Sequence, residues 1–456
     1  MGTVRLINSN TRRLEEFPEG KVPPYAILSH RWGPDDEEIS FQEALSGEIV
    51  KVGPGRDKFD GCRSQAARDG FEYVWIDTCC IDKSSSTELS EAINSIFRWY
   101  KDAGCCYAYL SDVPSGDDAF EPHSRLGQSC WFQRGWTLQE LLAPNTVQFY
   151  SSKWGLLGSK RDLWRALVQI TKIPRSYLLG FTELHEASIA QRMSWAAGRT
   201  TKRTEDMAYC LLGIFNVYMP LIYGQGDRAF IRLQEEIIKE TRDDSILAWD
   251  FPEGQNCSTP VQQVSGGVLS SSPLYFAGKD NTILVRPAGE FDGSLQGVGD
   301  SVLLKRHIHT NEVGQDFVVL QCRPEERPGH CVGIPIKAKV GSDRDYMRLR
   351  GAQSIVLQLA KAQTQREIRI RISRTEDDDD SGFHHSFYIE NFLENELKLT
   401  DVFPAQTWIR DKDIIMPDHN TTSRRFQRIW TRFSHQNGDG KDFIVILERI
   451  WWQAEA

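Results

Sequence analysis

Polar side chains gather where three predicted strands end, and their types and positions are the best suited to chemistry. The predicted strands are Tyr25–Ser29, Tyr73–Ile76 and Cys106–Leu110, which are short and apolar. Open α/β sheets bind ligands beyond the carboxyl ends of their strands, so we expect these side chains to line one crevice. The candidates at the three strand ends are Ser29, His30, Arg31 and Trp32, then Asp77 and Asp82, then Ser111 and Asp112.

A further carboxylate lies in the aromatic-rich segment 131–144, WFQRGWTLQELLAP. Leu138 and Leu142 are one helical turn apart, and Glu140 lies between them on another face of the helix. A carboxylate fixed in a crevice can stabilise positive charge that develops in a transition state. An acid in the first turn of a helix also interacts favourably with the helix dipole, so the spacing alone leaves a structural role open for Glu140.

Other kinds of site have little support in the sequence. No G-x-x-x-x-G-K-[S/T] segment and no C-x-x-C pair occurs, so we expect no ATP site, no metal site and no bound cofactor. A cysteine nucleophile is an alternative, in which Cys79 or Cys80 meets His30 as its base at the same edge of the sheet. A buried structural thiol is the simpler interpretation of both cysteines.

The composition limits the class of protein. A formal net charge of -9 argues against a general nucleic-acid binder, which needs a basic face. Ten cysteines in 456 residues are too sparse for a disulfide scaffold and indicate a reducing compartment. The sequence shows no signal pattern, and its most apolar stretch, 210–223, is too short to span a bilayer. We therefore expect a cytoplasmic protein without a membrane anchor.

The first half of the chain predicts an α/β domain. A helix capped by Ser85, with Leu89, Ile93, Ile96 and Tyr100 at helical intervals, lies between the second and third strands, and this order indicates a parallel sheet. A helical annex follows the sheet, with predicted helices at 162–170, 187–197, 205–215 and 227–241.

The second half predicts a β-rich domain that is a sandwich or a barrel. Its strand-like alternation occurs at 282–285, 317–320, 367–372 and 443–447. The polar stretch 251–267 has the composition of a linker. The predicted domains are thus 1–250, with a core at about 23–155 and the annex at about 156–250, and 268–456.

Four blocks of the first half together resemble the heterokaryon-incompatibility (HET) domain of filamentous fungi. They are PPYAILSHRWG, FEYVWIDTCCIDKSSSTELSEAINSIFRWYKDAGCCYAYLSDV, SCWFQRGWTLQELLAP and RMSWAAGRTTKRTEDMAYCLLGIFNVYMPLIYGQGDRAFIRLQEEI, within residues 23–250. That family is associated with non-self recognition after hyphal fusion and with regulated death of the fused cell. The resemblance implies a fungal cell-death effector.

A more remote resemblance is to TIR domains, which implies a TIR-like (flavodoxin-like) parallel sheet. Residues 29–33, SHRWG, are similar to the turn after the first TIR strand, with Trp32 inserted. Residues 136–141, WTLQEL, are similar to the TIR element that carries the catalytic glutamate, with Thr137 in place of cysteine. The resemblance implies cleavage of NAD⁺ with Glu140 as the catalytic residue. The substrate-binding residues would be Ser29, His30, Arg31, Trp32, Asp77, Asp82 and Trp136.

Two functions follow from these resemblances. In the first, the chain hydrolyses NAD⁺, a substrate and not a cofactor, to nicotinamide and linear or cyclic ADP-ribose once it self-associates or meets an incompatibility partner. In the second, it is a non-enzymatic adaptor that oligomerises and triggers cell death, with Arg134, Glu140 and the tryptophans forming an interface.

Overall fold

The computed structural model describes most of the first 250 residues and parts of the remainder. The described ranges are 3–117, 121, 124–250, 267–285, 295–298, 301–312, 314–338, 344–349, 354–358, 366–371, 387–388, 397–403, 408–409, 414–415, 426–435 and 443–450. The chain forms two compact units, Met1–Ser373 and Arg374–Ala456.

A seven-stranded sheet lies at the centre of the α/β part, in the order β2-β1-β4-β3-β5-β6-β7. The four strands β4, β3, β5 and β6 are parallel, and the remaining pairings are antiparallel. In chain order the parallel strands follow 2-1-3-4, a doubly wound order whose switch point falls between β3 and β5. The bounds are Thr3–Asn8 (β1), Leu14–Pro18 (β2), Tyr25–His30 (β3), Tyr73–Trp75 (β4), Cys105–Tyr109 (β5), Val147–Tyr150 (β6) and Leu156–Ser159 (β7).

The three predicted strands are confirmed to within one residue at each end, as β3, β4 and β5. Every residue of these strands is buried. Parallel strands covered by helices on both faces are expected to be apolar throughout. The strands therefore bring their polar residues together only where they end, at the carboxyl edge of the sheet.

Helices lie between the parallel strands, and six further described α-helices follow β7 within the region of the predicted annex. The predicted helix between β4 and β5 is α4, whose N-cap Ser85 accepts a hydrogen bond from the Glu88 N–H. The region 205–215, predicted as one helix, forms two short helices, and Asn216 in the left-handed conformation ends the second. The bounds are Phe41–Ser46 (α1), Pro54–Arg68 (α2), Asp77–Cys80 (α3), Ser86–Asp102 (α4), Thr137–Leu142 (α5), Trp164–Thr171 (α6), Arg175–Leu178 (α7), Ile189–Ser194 (α8), Asp206–Tyr209 (α9), Leu212–Phe215 (α10) and Arg228–Glu240 (α11).

The described helices differ from membrane-spanning helices in their length and hydropathy. Within the described ranges, no helix combines the length and the apolar character that crossing a bilayer requires.

The remaining described residues of the first unit are mainly strands. Most of them join an eight-stranded mixed sheet, β11-β12-β14-β15-β17-β10-β9 with β16 paired to β14, and β8 pairs with β13. The bounds are Thr282–Leu284 (β8), Gln296–Val298 (β9), Ser301–Arg306 (β10), Ile308–Thr310 (β11), Asp316–Val319 (β12), Cys322–Pro324 (β13), His330–Ala338 (β14), Asp345–Arg348 (β15), Ile355–Gln358 (β16) and Arg366–Arg371 (β17).

The second unit contains two described three-stranded sheets, β18-β21-β20 and β19-β22-β23. The predicted strand at 443–447 is confirmed there as β23. The bounds are Phe387–Tyr388 (β18), Leu397–Phe403 (β19), Trp408–Ile409 (β20), Ile414–Ile415 (β21), Phe426–His435 (β22) and Phe443–Ile450 (β23).

A buried ion pair joins the end of the annex to the eight-stranded sheet. Asp244, in the turn after α11, accepts a hydrogen bond of 2.6 Å from the Arg306 Nε of β10 and one of 3.0 Å from the Gln321 N–H. The two charged side chains are 0% and 2% exposed. Residues on both sides of the predicted linker thus pack within one unit. The linker itself stays a prediction, because residues 251–266 lie outside the described ranges.

Truncating one partner of this ion pair tests how much the pair contributes to the stability of the fold. Asp244→Ala leaves the Arg306 guanidinium buried without its counter-ion, and we expect the free energy of unfolding to fall by about 3–5 kcal/mol. Urea denaturation followed by tryptophan fluorescence measures this change. Lys239→Ala, which breaks an exposed pair with Glu236, is the control and should cost less than about 1 kcal/mol. Equal effects of the two substitutions would contradict the prediction.

Candidate functional site

A cleft of about 530 Å³ opens at the carboxyl edge of the parallel strands. One of its walls is apolar and comes from α1 and the first half of α4, including Phe41, Leu89, Ile93 and Ile96. The opposite wall is polar and aromatic. It contains five of the residues predicted from the sequence, namely Trp32, Asp77, Asp82, Trp136 and Glu140.

Glu140 is fixed in this wall by a directed chain of hydrogen bonds. The Ser29 hydroxyl donates to the Glu140 Oε2 at 2.5 Å, and the Trp131 Nε1 donates to the Ser29 Oγ at 2.9 Å. An indole N–H can only donate, so the Ser29 oxygen accepts from Trp131 and keeps its own proton for Glu140. Ser29 itself is completely buried behind the carboxylate. It therefore orients Glu140 and does not face the cleft.

Burial sets the protonation of Glu140. The side chain is only 6% exposed, because every residue of α5 is buried. Desolvation raises the pKa of Glu140 from its usual value of 4.5 to about 7, against the opposing effects of the Arg134 charge and the Ser29 hydrogen bond. Near neutral pH, Glu140 is thus divided between its neutral and ionised forms.

Two buried cations, one from the annex and one from the residue that follows β7, hold the segment that carries Glu140. The Arg199 Nη1 donates to the Arg134 carbonyl at 2.9 Å and to the Thr137 Oγ1 at 3.0 Å. At the other end of α5, the Lys160 Nζ donates to the carbonyls of Leu141 and Pro144. Both ends of the short helix are therefore anchored by side chains from later in the chain.

Trp32 lines the same cleft as Glu140 and is held by a carboxylate. Its Nε1 donates to the Asp77 Oδ2 at 2.6 Å. Two cations lie over its ring, with the Lys83 Nζ at 3.7 Å and the Arg134 Cζ at 4.9 Å from the ring centre. Arg134 is itself fixed, because its Nη1 donates to the His30 carbonyl at 2.8 Å.

His30 lies beneath the cleft and is not among the residues that line it. Its Nε2 is 3.7 Å from the Asp77 Oδ1 and 3.9 Å from the Glu38 Oε2, too far for hydrogen bonds. Burial, followed by the charges of Lys58 and Arg134, holds the pKa of His30 well below its usual range. Glu38 pairs with the buried Lys58. His30 is therefore a neutral residue of the wall's interior.

Asp82, one of the five residues already named, and Arg31, which does not line this cleft, complete the predicted set. Asp82 lines the cleft, but its Oδ1 accepts from both the N–H and the hydroxyl of Ser84, and these bonds lower the pKa of Asp82. Arg31 is exposed and lines a neighbouring cleft of about 420 Å³, which shares Trp32 and Trp136 with the first.

Four residues that matter for this geometry had no such role in the sequence analysis. Trp131 belongs there only to the aromatic-rich segment 131–144, and Lys83, Lys160 and Arg199 have no assigned role. Trp131 and Ser29 are separated by 102 residues, and Arg199 and Thr137 by 62. No local sequence pattern predicts these contacts, so only the tertiary structure could identify them.

The cysteine alternative gains no support from the geometry. Cys79 and Cys80 are buried, and the Cys79 Sγ donates to the Ile39 carbonyl at 3.3 Å. Desolvation raises the pKa of Cys79 to about 12, so its thiol stays protonated at neutral pH.

Among the described residues, no group of three or more His, Cys, Asp or Glu side chains is placed to hold a metal ion.

The raised pKa of Glu140 makes a prediction about stability. Because Glu140 binds its proton more tightly in the folded protein, wild-type stability falls as the pH rises from about 4.5 to about 7. Glu140→Gln removes this loss and keeps an acceptor for Ser29. We expect the variant to gain about 2–3 kcal/mol over wild type between pH values of about 5 and about 8.

Urea denaturation of both proteins at the two pH values measures this gain, since all other titrating groups cancel in the difference. Glu236→Gln, which removes a partly exposed carboxylate of α11, is the control for the loss of a negative charge, and the gain of Glu140→Gln should exceed any gain of this variant. A pH-independent gap for Glu140→Gln would show that its carboxylate titrates normally.

Comparisons with known proteins relate part of the chain to incompatibility proteins. A family model described as Heterokaryon incompatibility protein (HET) matches residues 25–121. The vegetative incompatibility protein HET-E-1 of Podospora anserina is 47% identical over 268 residues, which is 57% of this chain. The matched region covers 19% of that relative, so the chain spans about a fifth of the relative's length. No solved structure matches the chain.

Proposed function

Starting from the match of residues 25–121 to the heterokaryon incompatibility family model, we propose that the chain is an effector of fungal non-self recognition that cleaves NAD⁺. One observation supports this function most directly. It is the desolvated Glu140 carboxylate, fixed by Ser29 in the wall of an open cleft that Trp32 and Trp136 also line. The remote resemblance of residues 29–33 and 136–141 to TIR domains assigns the catalytic role to the same carboxylate.

The chemistry needs a fixed negative charge more than it needs a strong base. When the bond between the ribose C1′ and the nicotinamide nitrogen breaks, its electron pair goes to nicotinamide, which leaves as a neutral ring. The positive charge moves to the ribose, and the ionised Glu140 stabilises this oxocarbenium-like state. Water then adds to C1′ and releases its proton, which gives ADP-ribose.

The cleft residues divide the remaining tasks. Trp32 and Trp136 offer flat surfaces on which a ring can stack. Arg31 and Arg134, in the neighbouring cleft, are suited to the pyrophosphate because guanidinium groups bind phosphates. The apolar wall formed by α1 and α4 excludes water around the reacting bond.

The adaptor alternative assigns Glu140 to a protein interface, and burial argues against that part of it. A side chain that is 6% exposed and held from behind by Ser29 is not available to a partner's surface. Exposed aliphatic residues between α1 and α2, Val50 and Val52, are 83% and 89% exposed and favour a role for association. We therefore propose that assembly controls the enzyme and does not replace it.

Nicotinamide release tests the proposed activity. The purified chain, fused to a chemically inducible dimerisation module, is incubated with NAD⁺ before and after clustering. We expect release by the clustered wild type, a fall of about 100-fold or more for Glu140→Gln, and no change for Glu236→Gln. Absence of release from folded, clustered wild type would exclude the NAD⁺-cleaving function. Cell death that persists in Glu140→Gln would instead support the adaptor.

The pH dependence of the reaction follows from the raised pKa of Glu140. Only the ionised carboxylate opposes positive charge, so kcat/KM should rise tenfold per pH unit below about 7 and level off above it. Steady-state rates between about pH 5.5 and pH 8.5 give this profile. A profile that falls as the pH rises through 7 would show that Glu140 acts in its neutral form.

A further inference from the structure

The Trp32 ring is prepared to bind a cation. Its N–H donates to an ionisable carboxylate, Asp77, at 2.6 Å, and such a charge-assisted bond increases the electron density of the indole. The face of an electron-rich ring attracts cations within about 6 Å of its centre. Among the described residues that line the cleft, carboxylates outnumber cationic side chains by six to four. The surroundings of Trp32 therefore favour a positively charged ligand.

Lys83 already occupies a position on this ring. Its ammonium lies 3.7 Å from the ring centre, closer than the Arg134 guanidinium at 4.9 Å. The turn that carries Lys83 is fixed on one side by the Asp82 carboxylate, which binds Ser84, and on the other by Glu88, which accepts the Asp82 N–H at 2.7 Å. Lys83 itself is exposed. Its backbone is thus fixed, while its side chain is free to move into solvent.

We propose that Lys83 is an internal competitor, which covers the cation-binding face of Trp32 until the pyridinium ring of the substrate displaces it. This inference rests on the proposed function, because it identifies Trp32 as the subsite for the charged nicotinamide ring. The oxidised nicotinamide of NAD⁺ is a flat cation, so it offers Trp32 both charge and stacking area, whereas an ammonium offers charge alone.

The same contact favours release of the product. Cleavage converts the ring from a pyridinium cation to neutral nicotinamide, which loses its cation–π attraction to Trp32. The Lys83 ammonium keeps its charge and returns to the ring. Lys83 therefore weakens binding at the ring and favours departure of the neutral product, whereas the preference for a charged ring comes from Trp32 itself.

Binding of a small pyridinium tests this role independently of catalysis. 1-Methylnicotinamide carries the charged ring but has no ribose bond to cleave, and nicotinamide is its neutral counterpart. Calorimetric titration of the full chain should show that Lys83→Met binds 1-methylnicotinamide about three- to tenfold more tightly than wild type does. Nicotinamide must displace the same ammonium, so its weaker binding should tighten by a similar factor. Lys83→Arg, which keeps a cation on the ring, should resemble wild type.

A second lysine of the cleft provides the matched control. Lys202 also lines the cleft, but it pairs with Asp35 at 2.8 Å. Lys202→Met therefore removes the same charge from the same cleft without uncovering Trp32, and it should not reproduce the gain. Equal gains in both methionine variants, or no gain in Lys83→Met, would overturn the inference even if the wild type cleaves NAD⁺. A gain in Lys83→Met alone would support the subsite even if NAD⁺ is not cleaved.

Discussion

Burying the Glu140 carboxylate costs free energy, and several contacts within the α/β part compensate for this cost. Ser29 from the first parallel strand and Trp131 from the preceding turn supply the hydrogen bonds that compensate it. Arg134 supplies an opposing charge without covering the carboxylate completely. The balance leaves the pKa of Glu140 near neutrality. A carboxylate whose pKa lies near neutrality contributes little to a purely structural wall. A carboxylate at the position of Glu140 is well suited to a reaction that builds positive charge.

The central strands and α4 were predictable because their signals are local. Buried parallel strands are short apolar runs, and α4 has an N-cap and a regular apolar spacing, so both kinds of element can be recognised within about twenty residues. The outer strands β1, β2, β6 and β7 were not predicted. They are four to six residues long. β1 joins the sheet through an antiparallel pairing with β4, which no local sequence pattern predicts.

The environment of Glu140 could not be predicted from its own segment. The spacing of Leu138 and Leu142 predicts an amphipathic helix with Glu140 on a separate face. In the structure β3 supplies Ser29 and the annex supplies Arg199, so no face of α5 is left to solvent. The strand ends correctly located the cleft, because topology alone brings them together. Which of the residues face the cleft and which support them from behind depends on contacts between residues far apart in the chain, such as Ser29 and Glu140, which are 111 residues apart.

The ion pair between Asp244 and Arg306 has a consequence for how this α/β fold can be combined with other sequences. Asp244 belongs to the helical annex, but its counter-ion comes from a strand of the following β-sheet. A carboxylate that is fully buried needs a donor wherever the domain occurs. Any chain that joins this α/β part to a different C-terminal region must therefore supply another cation at this point or replace the aspartate. Exchange of the C-terminal region for an unrelated sequence is thus expected to require a matching substitution at position 244.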